Sequence, residues 1–454
     1  MGGAGRAGRR AGARHRVRLR PRRTGPAMTT VTRARRFGLL RQRDFRLLWI
    51  GESASSLGSA VTTVALPLVA VTVLDASAFA VSVLAAAVWL PWLLVGLPAG
   101  AWVDRLPRRR VMLAADWASM AAFLSVPAAA LLGVLGIVQL VVVALAAGTA
   151  KVFFATAYRA YLPSLVEGPD LLEANAKLQG SEQVANLAGP GVAGLLAQLV
   201  SAIGGLVVDA ASFAVSAVCL MRVKHVETVE PRPRRRLRSE IADGLRTVLR
   251  DPLLRGNMLY GCVANLALTG YQSLLVIFLI GDIGLAAGPT GALIAATSAG
   301  GVVGAFAARP LAAWLGSARA VLLGKAGLAP AGLLIACADR GAGLVLFVAA
   351  SIAIIAGIVA GNVIFSGFMQ SYVPSELMGR VSTSVQVVNF GAIPLGALLA
   401  GTLAEAFSVR AALWVMLGVF ALSGLILLAS PLRRLRDLPA GRMTGEEVSG
   451  TAGT

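Results

Sequence analysis

Residues Gly100 to Leu113 read GAWVDRLPRRRVML. Four arginines and one aspartate fall within the seven positions Asp104–Arg110, while the sequence on either side is oily. The flanking apolar runs are about 20 residues long, enough for a helix to cross a hydrocarbon layer of ~30 Å. The charged stretch is therefore a loop between two membrane spans, and its cations hold that loop on one face of the bilayer.

The same pattern repeats along the 454 residues. The chain is 57% hydrophobic and 14% charged, where a soluble domain carries about 25% charged residues. No series of short alternating segments marks a β-barrel. The reading is an all-α membrane protein with twelve transmembrane helices. The first six are expected at 46–74, 78–101, 110–133, 136–158, 177–200 and 203–221, and are called spans 1–6. The second six are expected at 254–280, 288–311, 318–338, 342–371, 382–406 and 409–431, spans 7–12.

The segment between the sixes is the most polar in the interior. It holds three prolines (Pro231, Pro233 and Pro252) and an arginine run, so it is a linker, with an amphipathic surface helix expected near 237–250. The organisation is then a disordered basic tail (1–44), a six-helix bundle (45–221), the linker (222–253), a second bundle (254–431) and a C-terminal tail (432–454). The first 27 residues are arginine-rich without an apolar core, unlike a signal peptide, and Met28 is an alternative start.

Charge sets the expected orientation. All but four of the 42 Lys and Arg residues fall in the tails and the even-numbered loops; Arg340 and Arg410 lie opposite, and Lys151 and Lys325 lie within spans. Both termini are expected to be cytoplasmic, in a multi-pass protein of the cell membrane. The net charge of +20 belongs to this asymmetry and to anionic lipid rather than to nucleic acid.

The two sixes resemble each other. Tyr161-Leu162-Pro163-Ser164 ends span 4, and Tyr372-Val373-Pro374-Ser375 ends span 10. Pro190-Gly191-Val192-Ala193-Gly194 in span 5 has a counterpart in Pro394-Leu395-Gly396-Ala397 in span 11. Such duplication is the mark of transporters built from two parallel halves. Gly96 and Gly100 in span 2, Gly396 and Ala400 in span 11, and Gly300, Gly301 and Gly304 in span 8 are expected to let helix backbones touch.

These features together resemble the major facilitator superfamily. Its span 2–3 loop signature is matched by Gly100, Asp104, Arg105, Arg108 and Arg109, with Pro107 and Trp102 departing from it. The resemblance implies two pseudo-symmetric six-helix bundles and a cytoplasmic latch in which Asp104 meets Arg159 or Arg380. RDFRLLWIGESASSLGSAV, PSLVEGPDLLEANA and NLAGPGVAGLL are similar to the bacterial macrolide-efflux and enterobactin-export branch. Gly189, Pro190, Gly191 and Gly194 resemble the span 5 signature of drug–proton antiporters. Two departures stand against it. Ala144 occupies the place of an expected span 4 arginine, with Lys151 nearby, and RPLAAWLGSARAVL lacks the aspartate of the opening motif.

A charge inside a span costs about 2.5–3.5 kcal/mol on insertion scales and is a functional candidate by default. The only histidines, His15 and His225, lie in basic segments, so proton chemistry in the membrane falls to carboxylates. Glu52, Asp116 and Asp209 are the candidates. Lys325 lies on a span usually peripheral in this fold, and its stem is expected to snorkel to the cytoplasmic side. The implied substrate cavity, lined by spans 1, 4, 7 and 10, draws on Thr62, Thr63, Phe154, Tyr158, Asn265, Tyr271, Gln272, Asn362, Phe365 and Gln370.

Cys219, Cys262 and Cys337 have no metal-ligand spacing, and no metal or cofactor is expected. No GxxxxGK[ST] loop for ATP occurs, and no nucleophile elbow or histidine cluster suggests an enzyme. The expected function is proton-coupled efflux of amphipathic drug-like, antibiotic or siderophore-type molecules by alternating access, by a chain acting as a monomer with protons, small molecules and lipid as its partners. A nutrient importer or uncoupled facilitator is the alternative.

Overall fold

The computed structural model describes Gly2 and residues 38–103, 105–166, 170–225, 227 and 237–439. A compact unit, Leu39–Thr454, contains the spans. No strand occurs among the described residues.

Among the described residues, ten helices are long and apolar enough to cross a membrane. In the first half they are span 1 (Arg43–Thr72), span 3 (Arg108–Leu131), span 4 (Ile137–Leu165) and span 6 (Ala202–Arg222). In the second they are span 7 (Pro252–Asp282), span 8 (Ala287–Leu315), span 9 (Ser317–Ala336), span 10 (Ala342–Tyr372), span 11 (Leu377–Ala406) and span 12 (Val409–Ala429). The two remaining places are helical but less regular. Span 2 is split into Ala78–Leu94 and Gly96–Val103, with Pro91 just before the break. Span 5, Asp170–Leu199, is long enough but opens with a polar turn containing Asp170 and Glu173.

The linker forms a helix, Leu237–Arg250, over the expected residues. It packs on span 11: a side chain at Gly244 would run into the Arg380 carbonyl and the Ser384 hydroxyl. Asp251 then caps span 7, its Oδ1 accepting the Leu253 and Leu254 amides at 2.8 Å. This is the acidic N-cap that satisfies otherwise orphaned amides, with Pro252 at the first helical position.

The side bearing the linker is here called the basic side, and the other the far side. The buried cores show how the halves meet. On the far side, Val276 of span 7 belongs to the core of the first half, with Ile280, Ala287 and Ile294 packed on it. On the basic side, the first-half core of Phe45, Leu48, Met112, Tyr161 and Leu220 takes no residue from the second half. Among the described residues, the halves share a buried core on the far side and none on the basic side.

Bare backbone forms part of the join. A Cβ on Gly194 would lie 2.8 Å from Gly291 Cα and 2.9 Å from the Ala287 carbonyl oxygen, pressing span 5 on span 8. A Cβ on Gly401 would lie 2.5 Å from Ser82 Cβ, pressing span 11 on span 2. The expected set of small-residue contacts is corrected here. Gly96, Gly100 and Gly301 face open space, so they bring no backbones together. Gly300 and Gly304 press on span 10 at Ile352 and Ala356, and Gly396 on span 7 at Leu266, all within the second half.

Candidate functional site: a cavity open to the basic side

A cavity of about 610 Å³ lies in the second half. Span 7 contributes Asn257 and Asn265, span 9 Lys325, span 10 Asn362, Phe365 and Gln370, and span 11 Met378, Gln386 and Asn389. These positions fall in the basic-side portion or the middle of their helices, so the cavity faces the side where the halves are parted. Phe390 forms its inner edge and is held by Trp89 and Trp92 of span 2, with ring centroids 5.7 and 5.6 Å away.

Lys325 reverses one expectation. It does not snorkel: the residue is 2% exposed. Its ammonium donates to Asn257 Oδ1 at 2.8 Å and lies 5.2 Å from the Tyr260 ring centroid and 5.4 Å from that of Phe365. Two local features aim it inward. Leu323–Gly327 is a π-turn, the one-residue irregularity that often marks functional positions in helices. Gly361 leaves room for the stem, since a Cβ there would lie 2.8 Å from Lys325 Cγ.

Of the expected cavity residues, Asn265, Asn362, Phe365 and Gln370 line this space. The others lie elsewhere. Thr62 donates to Asp209 Oδ2 at 2.5 Å, and Thr63 donates to the Ala60 carbonyl. Phe154 stacks on Tyr158 along span 4. Tyr271 is buried against span 10, and Gln272 is exposed. The face of span 11 went unread, although Met378, Ser382, Gln386 and Asn389 recur at helical spacing.

The intramembrane acids belong to the first half. Span 1 starts at Arg43, so Glu52 lies about 13 Å along it at 1.5 Å per residue. Its Oε2 is buried with no protein hydrogen-bond partner among the described residues. Glu182 and Lys151 are its electrostatic neighbours. Asp116 is 1% exposed, faces the Ser216 hydroxyl and feels the charge of Glu52. Asp209 is also 1% exposed but well satisfied, accepting from Thr62 and from the Ser212 hydroxyl at 3.2 Å. Lys151 lies within electrostatic reach of both Glu52 and Asp209.

The loop that opened the reading is tied down within the first half. Arg108 pairs with Glu227 at 2.8 Å, and its backbone amide donates to the same carboxylate at 2.9 Å. Arg109 donates to the Leu220 and Met221 carbonyls at 2.8 and 2.7 Å, covering the C-terminal end of span 6. Arg105 and Arg159 are exposed, and Asp104 lies outside the described residues. In the antiporter-like stretch, a Cβ at Gly189 would strike Ala60 of span 1, Gly191 faces Ala295 at 3.5 Å, and the Pro190 carbonyl lies against Gly291.

Comparison with known proteins gives the same architecture. The multidrug efflux pump Tap of Mycolicibacterium fortuitum is 29% identical over 406 residues, covering 86% of this chain and 96% of that protein. Tap of Mycobacterium tuberculosis (strain ATCC 25618 / H37Rv) is 28% identical over 397 residues, covering 85% and 92%. Among solved structures, the nucleoside transporter NupG superposes with a TM-score of 0.69 at 12% identity, covering 85% of this chain and 98% of that one. A bacterial homologue of the iron transporter ferroportin, inward-facing, gives 0.69 at 15% identity over 85% and 98%. The profile of a major-facilitator family described as transmembrane secretion effector matches residues 34–449. With the two-half helical fold and a cavity between its spans, this chain belongs to that family of membrane transporters.

Proposed function

We propose that this protein exports amphipathic organic molecules across the cell membrane in exchange for protons. The observation that carries the coupling is Glu52: a carboxylate well inside span 1 with a shielded oxygen that no described protein group satisfies, flanked by Asp116, Glu182 and Lys151. A carboxylate so placed gains by taking up a proton, and it loses one when water or a cation reaches it. Asp209, held by two hydroxyls, suits a structural role better. The export reading draws on the two Tap relatives and on a cavity whose described residues mix amides, methionines and phenylalanines without a carboxylate.

The basic side is the cytoplasmic one in this reading, as its arginines favour, and the structure then corresponds to the inward-open state of an alternating-access cycle. In this reading the chain is organised as a basic tail, two six-helix bundles and a linker between them, and a monomer suffices, since each chain has its own cavity. Asp104 serves as the latch between halves on the cytoplasmic side, closing toward Arg159 or Arg380 when the far side opens. Proteoliposomes with an imposed pH gradient test the function. Uphill movement of a substrate found by drug-susceptibility screening should require the gradient and stop on adding a protonophore. Movement that continues at full rate without a gradient would replace the exporter by a facilitator.

A further inference from the structure

We propose that the second-half cavity is built to hold an acidic group of the transported molecule, a carboxylate or enolate, with the Lys325 ammonium as its counter-charge. This rests on the export reading above and adds a substrate class to it.

The ammonium is almost fully buried, yet no carboxylate of the described residues pairs with it. A buried charge without a counter-ion is costly. The faces of Tyr260 and Phe365 offset part of that cost, and the Asn257 oxygen takes one of its three protons. Two donors remain. Around them the cavity presents neutral amides, including Asn265, Asn362 and Asn389, whose NH₂ groups donate to an anion as readily as their oxygens accept. Among the described residues the lining holds one positive charge and no negative one. An acid entering it gains an ion pair with an ammonium that solvent hardly reaches, and a cation meets repulsion.

The side chain is also held there on purpose by the backbone. Lys325 sits within the π-turn of span 9, and its stem runs over Gly361 of span 10, where a Cβ would lie 2.8 Å from Lys325 Cγ. Gly324 and Gly357 bring those two helices into backbone contact at the same level. A lysine whose task was only to reach solvent needs none of these features.

The test uses fluorescein and rhodamine 6G, which share a xanthene core and carry opposite charge. Binding of each to the purified full-length protein in detergent is followed by fluorescence anisotropy, with no gradient present. The wild type should prefer fluorescein. K325M should weaken fluorescein binding about tenfold or more and leave rhodamine binding equal or tighter. K325Q, which keeps a donor but not the charge, should follow K325M, and separates charge from packing. A wild type that binds both dyes alike, prefers rhodamine or binds no fluorescein would overturn the proposal without any variant. So would an unchanged fluorescein affinity in K325M or K325Q. Because binding is read at equilibrium, a loss of uphill export with the fluorescein preference intact would count against the coupling alone.

Discussion

The Tyr372 hydroxyl donates to Asp251 Oδ2 at 2.7 Å, tying the end of span 10 to the start of span 7. The other oxygen of the same carboxylate caps span 7, so one buried aspartate anchors two helices. Tyr161 and Asp44 hold the matching places in the first half, in Arg43-Asp44-Phe45 against Arg250-Asp251-Pro252. There the tyrosine is fully buried, its hydroxyl has no hydrogen-bond partner among the described residues, and Asp44 accepts the Lys224 backbone amide instead. The duplicated pair closes in one half only. Tyr372→Phe should therefore cost about 1.5–3 kcal/mol, because it strands a buried carboxylate oxygen, while Tyr161→Phe should stay within about 0.5 kcal/mol of wild type. Unfolding of the two purified variants would show whether the asymmetry is real.

Glu52→Gln keeps the size of the side chain and removes its ability to ionise. The protein should fold, bind substrate and exchange it across the membrane, but should not accumulate it against a gradient. Uphill transport at the wild-type rate by this variant would take Glu52 out of the coupling step and leave Asp116 as the next residue to examine.

At the far-side join, Gly194→Val forces a branched side chain against the backbone of Gly291. Closure on that side should fail, with transport reduced by an order of magnitude or more at matched expression. A cysteine placed near Gln198 should become more reactive to membrane-impermeant thiol reagents in the variant. Unaltered labelling would mean that the valine is absorbed elsewhere.

Arg108 and Glu227 are both largely withdrawn from solvent. Arg108→Ala should destabilise the basic side of the first half by about 1.5–3 kcal/mol by leaving the glutamate without its charged partner. The double variant Arg108→Ala, Glu227→Ala should recover part of that loss. Thermal unfolding of the single and double variants in detergent gives the coupling directly.

Asp104→Asn should leave insertion unchanged, since the loop arginines still set topology, and should cut transport strongly by weakening the latch. Wild-type transport by this variant, at equal abundance in the membrane, would remove the latch from the cycle.

The sequence carried the spans because membrane insertion writes itself in runs of apolar residues and in arginine placement, and the linker helix because its amphipathic period survives without tertiary contacts. The site was half legible. Asn362, Phe365 and Gln370 could be read from a span known to face inward. Lys325 could not, because its direction depends on a π-turn and on the missing side chain of Gly361 in another helix. A helical wheel assumes regular geometry and sees one helix at a time. Gly96 and Gly100 show the converse: small residues at the right spacing permit contact, and here nothing approaches them.

The junction of Gly194 with Gly291 has a kinetic consequence. Where peptide lies on peptide, no rotamers have to be reset as the surfaces part. What parts at that point is a pair of lips made of carbonyls and Cα hydrogens, which wet easily, while the apolar side chains beside them, Val276, Ile280 and Ile294, must be dried again before the halves rejoin. The slow steps of each turnover should then lie where side chains have to repack, as at the aromatic clasp of Trp89 and Trp92 on Phe390, where three rings must come apart and pack anew.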